Sequence, residues 1–345
     1  AALNALLADR SDQAREWLED ILVEHPRDLL ALHFVHFLDF NCGDARAMRD
    51  RIARALRAWS PDMPNYGQVL GMYAFALEES GDYGRAEEFG RQSVELDNTD
   101  CWAQHAIAHT LEMTGRFDEG IAWQRGNVDG WTADSFFDIH NWWHLALFHL
   151  EKGDVDEALQ IYDAQIFRGD TGMLPDFTDA AAFLWRLKLR GVDVGDRWHP
   201  VAELWVPRVQ DGCYAFHDLH ALIAFAGAGR SDMVHELLTQ MRKTAEGSGD
   251  NARATAQVGL PVAEALAAYG DGDATTAIRK LRPVRTIAQR VGGSHAQRDL
   301  LDLTLLAAAC DAGHGALAEA LAAERLALRP NSPLNLELQE QARAA

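Results

Sequence analysis

The apolar positions of this chain recur at the spacing of amphipathic helices, and short glycine turns separate one helical stretch from the next. Before Gly81 one stripe occupies positions i, i+3, i+4 and i+7: Leu70, Tyr73, Ala74 and Leu77. A second stripe, from Ala86 to Ser93, follows the same turn. Two helical stripes on either side of a tight turn predict an antiparallel helix pair.

Turns of this kind repeat along the whole chain. Eight glycines mark them: Gly43, Gly81, Gly115, Gly153, Gly191, Gly229, Gly272 and Gly313. Successive turns are 34 to 43 residues apart, which is the period of tetratricopeptide-like helix pairs. The sequence therefore predicts an all-α fold, an α-solenoid of tetratricopeptide-like antiparallel pairs. We expect a single array over residues 1–345 with about eight to nine pairs, the first of them incomplete.

Two stretches depart from this repeat, and we expect insertions there. They cover residues 127–138 and residues 195–212. Both contain large aromatic side chains, which favours packed loops over disordered ones. Long ordered loops in a repeat array often serve function.

Charge and composition narrow the partners and the location. The chain has 52 acidic and 32 basic residues, a net charge of −20. Nucleic acid and anionic membranes require clustered lysine and arginine, so we expect neither as a partner. The four cysteines are far apart and form no C-x-x-C pair, which favours reduced thiols and a cytoplasmic location. Because the chain does not begin with methionine, we also expect that a segment precedes it.

Histidine and tryptophan concentrate in residues 101–150. This stretch holds five of the ten tryptophans and two His-x-x-x-His pairs, His105/His109 and His140/His144. A four-residue step keeps both members of a pair on one helix face. The two pairs are therefore expected on the first helices of two successive repeats.

Distance from the turn glycine predicts where these side chains point, because the first helix of each tetratricopeptide-type pair lines the concave surface. His105, His109 and Glu112 lie ten, six and three residues before Gly115, at groove-facing positions. His140 and Trp143 have groove-facing positions before the next turn, whereas His144 lies at the border of groove and core. We expect these residues to share one concavity.

Other histidines have weaker signals. His217 and His220 lie twelve and nine residues before Gly229, again on a first helix. His33 has a groove position, whereas His36 has a core position. A buried histidine that is hydrogen-bonded to a backbone carbonyl could explain any single pair, and for His33/His36 it does so as well as a functional role.

Several chemistries fit the clustered groups. The candidate catalytic residues are His105, His109, Glu112, His140 and His144. The same four histidines could chelate a divalent zinc, iron or manganese ion, although the H-E-x-x-H order of metalloproteases is absent. Without a metal, a histidine held by Glu112 or Asp138 could act as a general base. No G-x-S-x-G nucleophile motif is present.

The chain resembles the tetratricopeptide repeat protein 38 family over nearly its whole length. The motifs that carry the resemblance are PRDLLALHFVHFLDF, WAQHAIAHTLEMTGRFDEGIAW, HNWWHLALFHLEKGD and GGSHAQRDLL. The resemblance implies an α-helical repeat fold and supplies no reaction. It draws attention to the segment from Gly292 to Asp299, where Ser294 could cap a helix and Arg298 could pair with a carboxylate.

These observations favour a repeat protein that binds a small molecule in a concave pocket rich in histidine and tryptophan, with catalysis left open. The candidate ligand-binding residues are Trp143, Asn141, His217, His220, His295 and Arg298. One alternative is a scaffold that binds a peptide of a protein partner in the groove. Another is a metal-dependent hydrolase that uses the paired histidines. The cofactor is unknown, and a divalent metal is the candidate.

Overall fold

The structure is a computed structural model that describes residues 1–132 and 135–345, and the elements in this part of the chain are helical. In chain order the α-helices are α1 (Ala2–Leu7), α2 (Ser11–Glu24), α3 (Leu29–Asn41), α4 (Ala45–Leu56), α5 (Tyr66–Glu79), α6 (Tyr83–Leu96), α7 (Cys101–Met113), α8 (Phe117–Gly126), α9 (Val128–Thr132), α10 (Asp138–Glu151), α11 (Val155–Ile161), α12 (Leu174–Leu189), α13 (Trp198–Trp205), α14 (Ala215–Gly227), α15 (Ser231–Ala245), α16 (Asp250–Ala254), α17 (Leu260–Gly270), α18 (Ala274–Leu281), α19 (His295–Asp311), α20 (Gly315–Leu328) and α21 (Pro333–Ala344). Short π-helical and 3₁₀ segments occur at Tyr162–Ile166, Gly195–Arg197, Val206–Arg208, Thr255–Gly259 and Arg285–Val291. The prediction of an all-α fold built from helix pairs is confirmed.

The turn glycines explain why the helices end where they do. All eight have a positive φ, between 66° and 85°, which side chains other than glycine rarely adopt. At Gly115 the glycine N–H donates to the Glu112 carbonyl at 3.1 Å, and the next N–H, of Arg116, donates to the Leu111 carbonyl at 2.9 Å. This is the Schellman pattern, in which backbone donors satisfy the last carbonyls of a helix.

The chain divides into two compact units, unit 1 from Ala1 to His149 and unit 2 from Leu150 to Ala345. In unit 1 the helix α7 packs against both α5 and α6, as successive repeats do in helical arrays. Phe75, Met48 and Ala106 are buried in one apolar cluster of this unit. That the whole chain is a single array stays a prediction.

Unit 2 buries polar and charged groups together with its apolar core. The Trp185 Nε1–H donates to the Thr304 hydroxyl at 2.9 Å, which links α12 to α19. Asp299 accepts two hydrogen bonds from the Arg325 guanidinium, at 2.5 and 3.0 Å, so its charge is compensated within the fold.

The insertions contain buried side chains, as expected of packed segments, but much of their length is helical where loops were expected. The stretch 195–212 contains α13, in which Trp198, Val201, Ala202 and Trp205 are buried at positions i, i+3, i+4 and i+7. Pro200 lies in the first turn of this helix, where the missing N–H costs nothing. The insertion 127–138 contains α9, and its residues 133 and 134 lie outside the described residues.

No helix among the described residues has both the length and the apolar character that crossing a membrane requires.

Candidate functional site

The site is built on α7, and the start of this helix is well determined. Asp100 is the N-cap: its side chain accepts from the backbone N–H groups of Trp102 and Ala103, each at 3.1 Å. The Ser93 hydroxyl of α6 donates to the other Asp100 oxygen at 2.8 Å. These bonds satisfy donors that every helix leaves open at its first turn, and they fix the register of α7 on α6.

A glycine lets α5 approach this cap closely. A Cβ on Gly71 would lie 2.7 Å from the Asp100 Oδ2 atom, closer than real Cβ contacts allow. The absence of a side chain there permits tight packing of α5 on the beginning of α7. The end of α5 then lies beside the middle of α7, where its last two residues, Glu78 and Glu79, come close to His109.

Four histidines meet where α7 and α10 face each other. His105, His109, His140 and His144 each offer one ring nitrogen, and these atoms all lie within 4.8 Å of one another. The ring centroids of His105 and His109 are 4.4 Å apart, and those of His109 and His144 are also 4.4 Å apart. Each helix contributes one i, i+4 pair, so the spacing in the sequence and the packing of the helices together assemble the group. We call it the four-histidine cluster.

Among the four histidines, His105 combines burial with ring nitrogens that have no hydrogen-bond partner among the described residues. It is 2% exposed, and neither of its ring nitrogens has a hydrogen-bond partner among the described residues. Burial lowers its pKa well below the ordinary value, and the imidazoles of His109, His140 and His144 lower it further. His105 is therefore a neutral base with an available lone pair at physiological pH.

Aromatic rings cover the cluster, so its histidines are enclosed and do not line an open groove. Phe137, from the insertion after α9, stacks on His105 with a centroid distance of 4.7 Å. Trp143 stacks on His140 at 5.2 Å and is itself fully buried. His140 is the one histidine of the four that keeps partial exposure. The expected common concavity is thus a covered cluster, with its most accessible side at His140.

Carboxylates stand beside two of the imidazoles. The Glu112 Oε2 atom lies 3.2 Å from the Nδ1 atom of His144, within hydrogen-bonding distance. The Glu78 Oε2 atom lies 3.5 Å from the Nδ1 atom of His109. All of these groups are buried, Glu112 at 8% exposure. Carboxylate contacts of this kind commonly fix the tautomer and the orientation of metal-binding histidines.

Sequence reasoning identified Glu112 but missed Glu78, Glu79 and Phe137. The signal for Glu78 was present, since it lies three residues before Gly81 just as Glu112 lies three residues before Gly115. The same rule applied to the preceding turn would have found it. Phe137 carried no such signal, because it lies in an insertion outside the repeat.

His36 shows that a buried histidine without hydrogen bonds is not by itself a ligand site. It is 1% exposed, neither ring nitrogen has a hydrogen-bond partner among the described residues, and burial lowers its pKa to about 3. Its ring contacts the edges of Phe75 and Trp102, with centroids 6.1 and 5.9 Å away. His105 differs because three further imidazoles surround it.

Asn141 and the predicted residues of unit 2 lie in other surroundings. The Asn141 side chain is fully buried in unit 1, and its backbone carbonyl accepts from Gln124 at 3.4 Å. In unit 2 the His220 Nδ1 atom lies 2.7 Å from the Phe216 carbonyl, and burial lowers the pKa of this histidine to about 3. His217 contacts the Tyr214 ring at 4.9 Å, and burial lowers its pKa to about 4.

The segment around His295 is mainly structural. Ser294 caps α19 and forms a capping box with Gln297, as the sequence predicted for a capping serine. Arg298 donates to the Gly293 carbonyl, and its Nη2 atom lies 3.5 Å from the His295 Nδ1 atom. His220 and Arg298 both line a small cavity of about 20 Å³, enough for one water molecule. That cavity is too small for the predicted small-molecule ligand.

Comparison with known proteins adds a distant structural likeness. No protein-family model matches the chain. The chain is similar to a chain of the crystal structure of the APC/C hetero-tetramer Cut9-Hcn1, with 13% sequence identity and a TM-score of 0.45. The match covers 99% of the present chain and 62% of the matched chain, so the present chain spans less than two thirds of the matched chain's length. What the geometry itself establishes is an all-α protein of helix pairs with a buried four-histidine cluster in unit 1.

Proposed function

We propose that this helical-repeat protein binds a divalent transition-metal ion at the four-histidine cluster. The observation that carries the proposal is the state of His105, a buried, neutral imidazole without a hydrogen bond among the described residues and surrounded by three more imidazoles. A bound ion would accept the lone pair of His105, which has no hydrogen-bond partner among the described residues. Ligand atoms of one ion with bonds of about 2.1 Å are about 3.4 Å apart in tetrahedral geometry, so small side-chain shifts from 4.8 Å suffice.

The ligand set indicates which ions fit. Four neutral imidazoles suit zinc, copper, nickel and iron and are poor ligands for calcium or magnesium. Neutral ligands leave the two positive charges of the ion uncompensated inside the protein, which is costly. The buried carboxylates Glu78, Glu79 and Glu112 lie next to the cluster and would offset that charge.

The small molecule predicted from the sequence would bind at this same site. His140 is partly exposed and stacks on Trp143, so a ligand would approach the ion past this edge. Metal-dependent hydrolysis, a peptide partner, a cytoplasmic location and membership of the tetratricopeptide repeat protein 38 family remain proposals that a metal site neither requires nor excludes.

Metal analysis of the full chain, purified without chelator from metal-replete cells, tests the proposal. We expect at least one equivalent of a transition metal in the wild type and less than about a tenth of an equivalent in His105→Ala/His144→Ala. His25→Ala, which removes an exposed histidine of the same unit, is the matched control and should keep the metal. A wild type that takes up no zinc, copper, nickel or iron even when these ions are added would refute the metal centre.

A further inference from the structure

The four-histidine cluster does not account for every ligating group around α7. Glu78, Glu79 and His109 form a second group, in which one ligand atom from each residue lies within 4.8 Å of the others. All three residues are buried. His109 thus belongs to both groups, and an imidazole ring has two nitrogens that can serve two different ions.

The two carboxylate contacts around the cluster differ in length. Between His144 and Glu112 the separation of 3.2 Å is that of a hydrogen bond. Between the His109 Nδ1 atom and the Glu78 Oε2 atom it is 3.5 Å, at the upper limit for a hydrogen bond. Two ligands of one ion are expected at about 3.4 Å. Glu78 and His109 would therefore need to move little to bind one common ion.

We propose that Glu78, Glu79 and His109 hold a second divalent cation beside the one in the four-histidine cluster, with His109 bridging the two ions. This inference rests on the proposed function, because the bridge requires an ion in the cluster. The second position offers two carboxylates and one imidazole, a set that suits zinc, iron or manganese.

Charge balance favours a pair of ions over a single one. Two divalent cations bring four positive charges, and Glu78, Glu79 and Glu112 would supply three negative charges when bound as carboxylates. A bridging imidazole must lose its remaining N–H proton to solvent, which makes His109 an anion and supplies the fourth. The pair is neutral as a whole, which a buried site requires. Filling the bridge therefore releases at least the His109 proton beyond those released on filling the cluster.

Zinc titration of the chelator-stripped full chain tests this inference by calorimetry and metal analysis. We expect two equivalents of Zn²⁺ for the wild type and one for Glu78→Gln/Glu79→Gln, with the extra proton release lost in the variant. The matched control is Glu88→Gln/Glu95→Gln, which makes the same charge change at exposed carboxylates of α6 and should still bind two. One equivalent in both wild type and variant would overturn the second position and leave the cluster intact. No binding in either would overturn the metal centre itself.

A second measurement needs no variant and so does not depend on how the glutamine substitutions fold. With two Cu²⁺ ions bound per wild-type chain, an imidazolate bridge couples the two spins. We expect the integrated electron-paramagnetic-resonance signal at low temperature to fall below the signal of one copper per chain. A signal equal to all of the bound copper, or binding of a single copper, would exclude the bridge.

Discussion

Unit 1 and unit 2 both place pairs of histidines on the first helices of their repeats, but they use them differently. In unit 1 the pairs of α7 and α10 face each other, and their ring centroids lie 4.4 to 5.1 Å apart. In unit 2 the His220 Nδ1 atom lies 2.7 Å from the carbonyl of Phe216 on its own helix. The difference lies in which partner each buried imidazole finds.

A histidine that donates to the carbonyl four residues earlier satisfies one nitrogen without any tertiary partner. It can then be buried against aromatic neighbours as an ordinary part of the core, as His220 is against Phe216 at 4.4 Å. In the four-histidine cluster the imidazoles instead lie against one another, and His109 and His144 also have a carboxylate oxygen within 3.5 Å. Mutual proximity of the rings, more than burial, is what points to a ligand.

The largest expected effect is the increase in the free energy of unfolding that Zn²⁺ causes. We expect Zn²⁺ at about 1,000 times its dissociation constant to stabilise the wild type by about 4 kcal/mol. His105→Ala should lose this gain, because it removes a ligand. His220→Ala should lower the basal stability and keep the gain, because His220 has its own carbonyl partner. Thermal unfolding with and without Zn²⁺ measures both, and an equal zinc effect in the two variants would erase the distinction between the units.

The sequence predicts this contrast only for residues whose position can be counted back from a turn glycine. The turn glycines set the helix pairs, and counting back from Gly115 places His105, His109 and Glu112 together. The same count places His217 and His220 on a first helix in the same way. It does not show whether an imidazole contacts the backbone of its own helix or a neighbouring ring.

Two further features, the contact of Phe137 with His105 and the helix α13, could not be predicted from the turn-glycine spacing. The cover over His105 comes from Phe137, in an insertion whose path depends on tertiary packing. The helix α13 was missed because it departs from the turn-glycine repeat, although the buried positions from Trp198 to Trp205 have helical spacing. Both errors come from segments that pack against the repeat without belonging to it.

A smaller effect sharpens the role of the carboxylates in unit 1. Glu112→Gln keeps an acceptor near the His144 Nδ1 atom but removes the carboxylate beside the ring. We expect the zinc affinity to fall about 10- to 100-fold, with the number of ions unchanged. Competition with a chromophoric chelator measures this change. Glu88→Gln, on an exposed face of the same unit, should show no change, and an unchanged affinity in Glu112→Gln would remove Glu112 from the site.

The smallest effect concerns unit 2 and the acid sensitivity of a histidine that has no metal to bind. The pKa of His220 is lowered to about 3, first by burial, while the Phe216 carbonyl opposes the shift and the charges of His217 and Arg186 add to it. Arg298 of α19 lines the same small cavity. Between pH 6.5 and 3 the unfolded chain therefore binds a proton at this residue that the folded chain does not.

That difference has a definite sign. Stability rises with pH wherever the unfolded state binds more protons, so the contribution of His220 is present above pH 6.5 and is lost as the pH falls below it. One group with an ordinary pKa of 6.5 when unfolded costs about 1 kcal/mol between pH 6.5 and 5.5. His220→Gln, which keeps an N–H donor for the Phe216 carbonyl, should lose about 1 kcal/mol less than the wild type over this interval in urea unfolding.

His235→Gln, at an exposed position of α15, is the matched control, and its stability should fall with pH as that of the wild type does. If His220→Gln and the wild type lose stability in parallel, His220 takes up its proton in the folded state. It would then no longer contrast, as a neutral residue of the core, with the histidines of the four-histidine cluster.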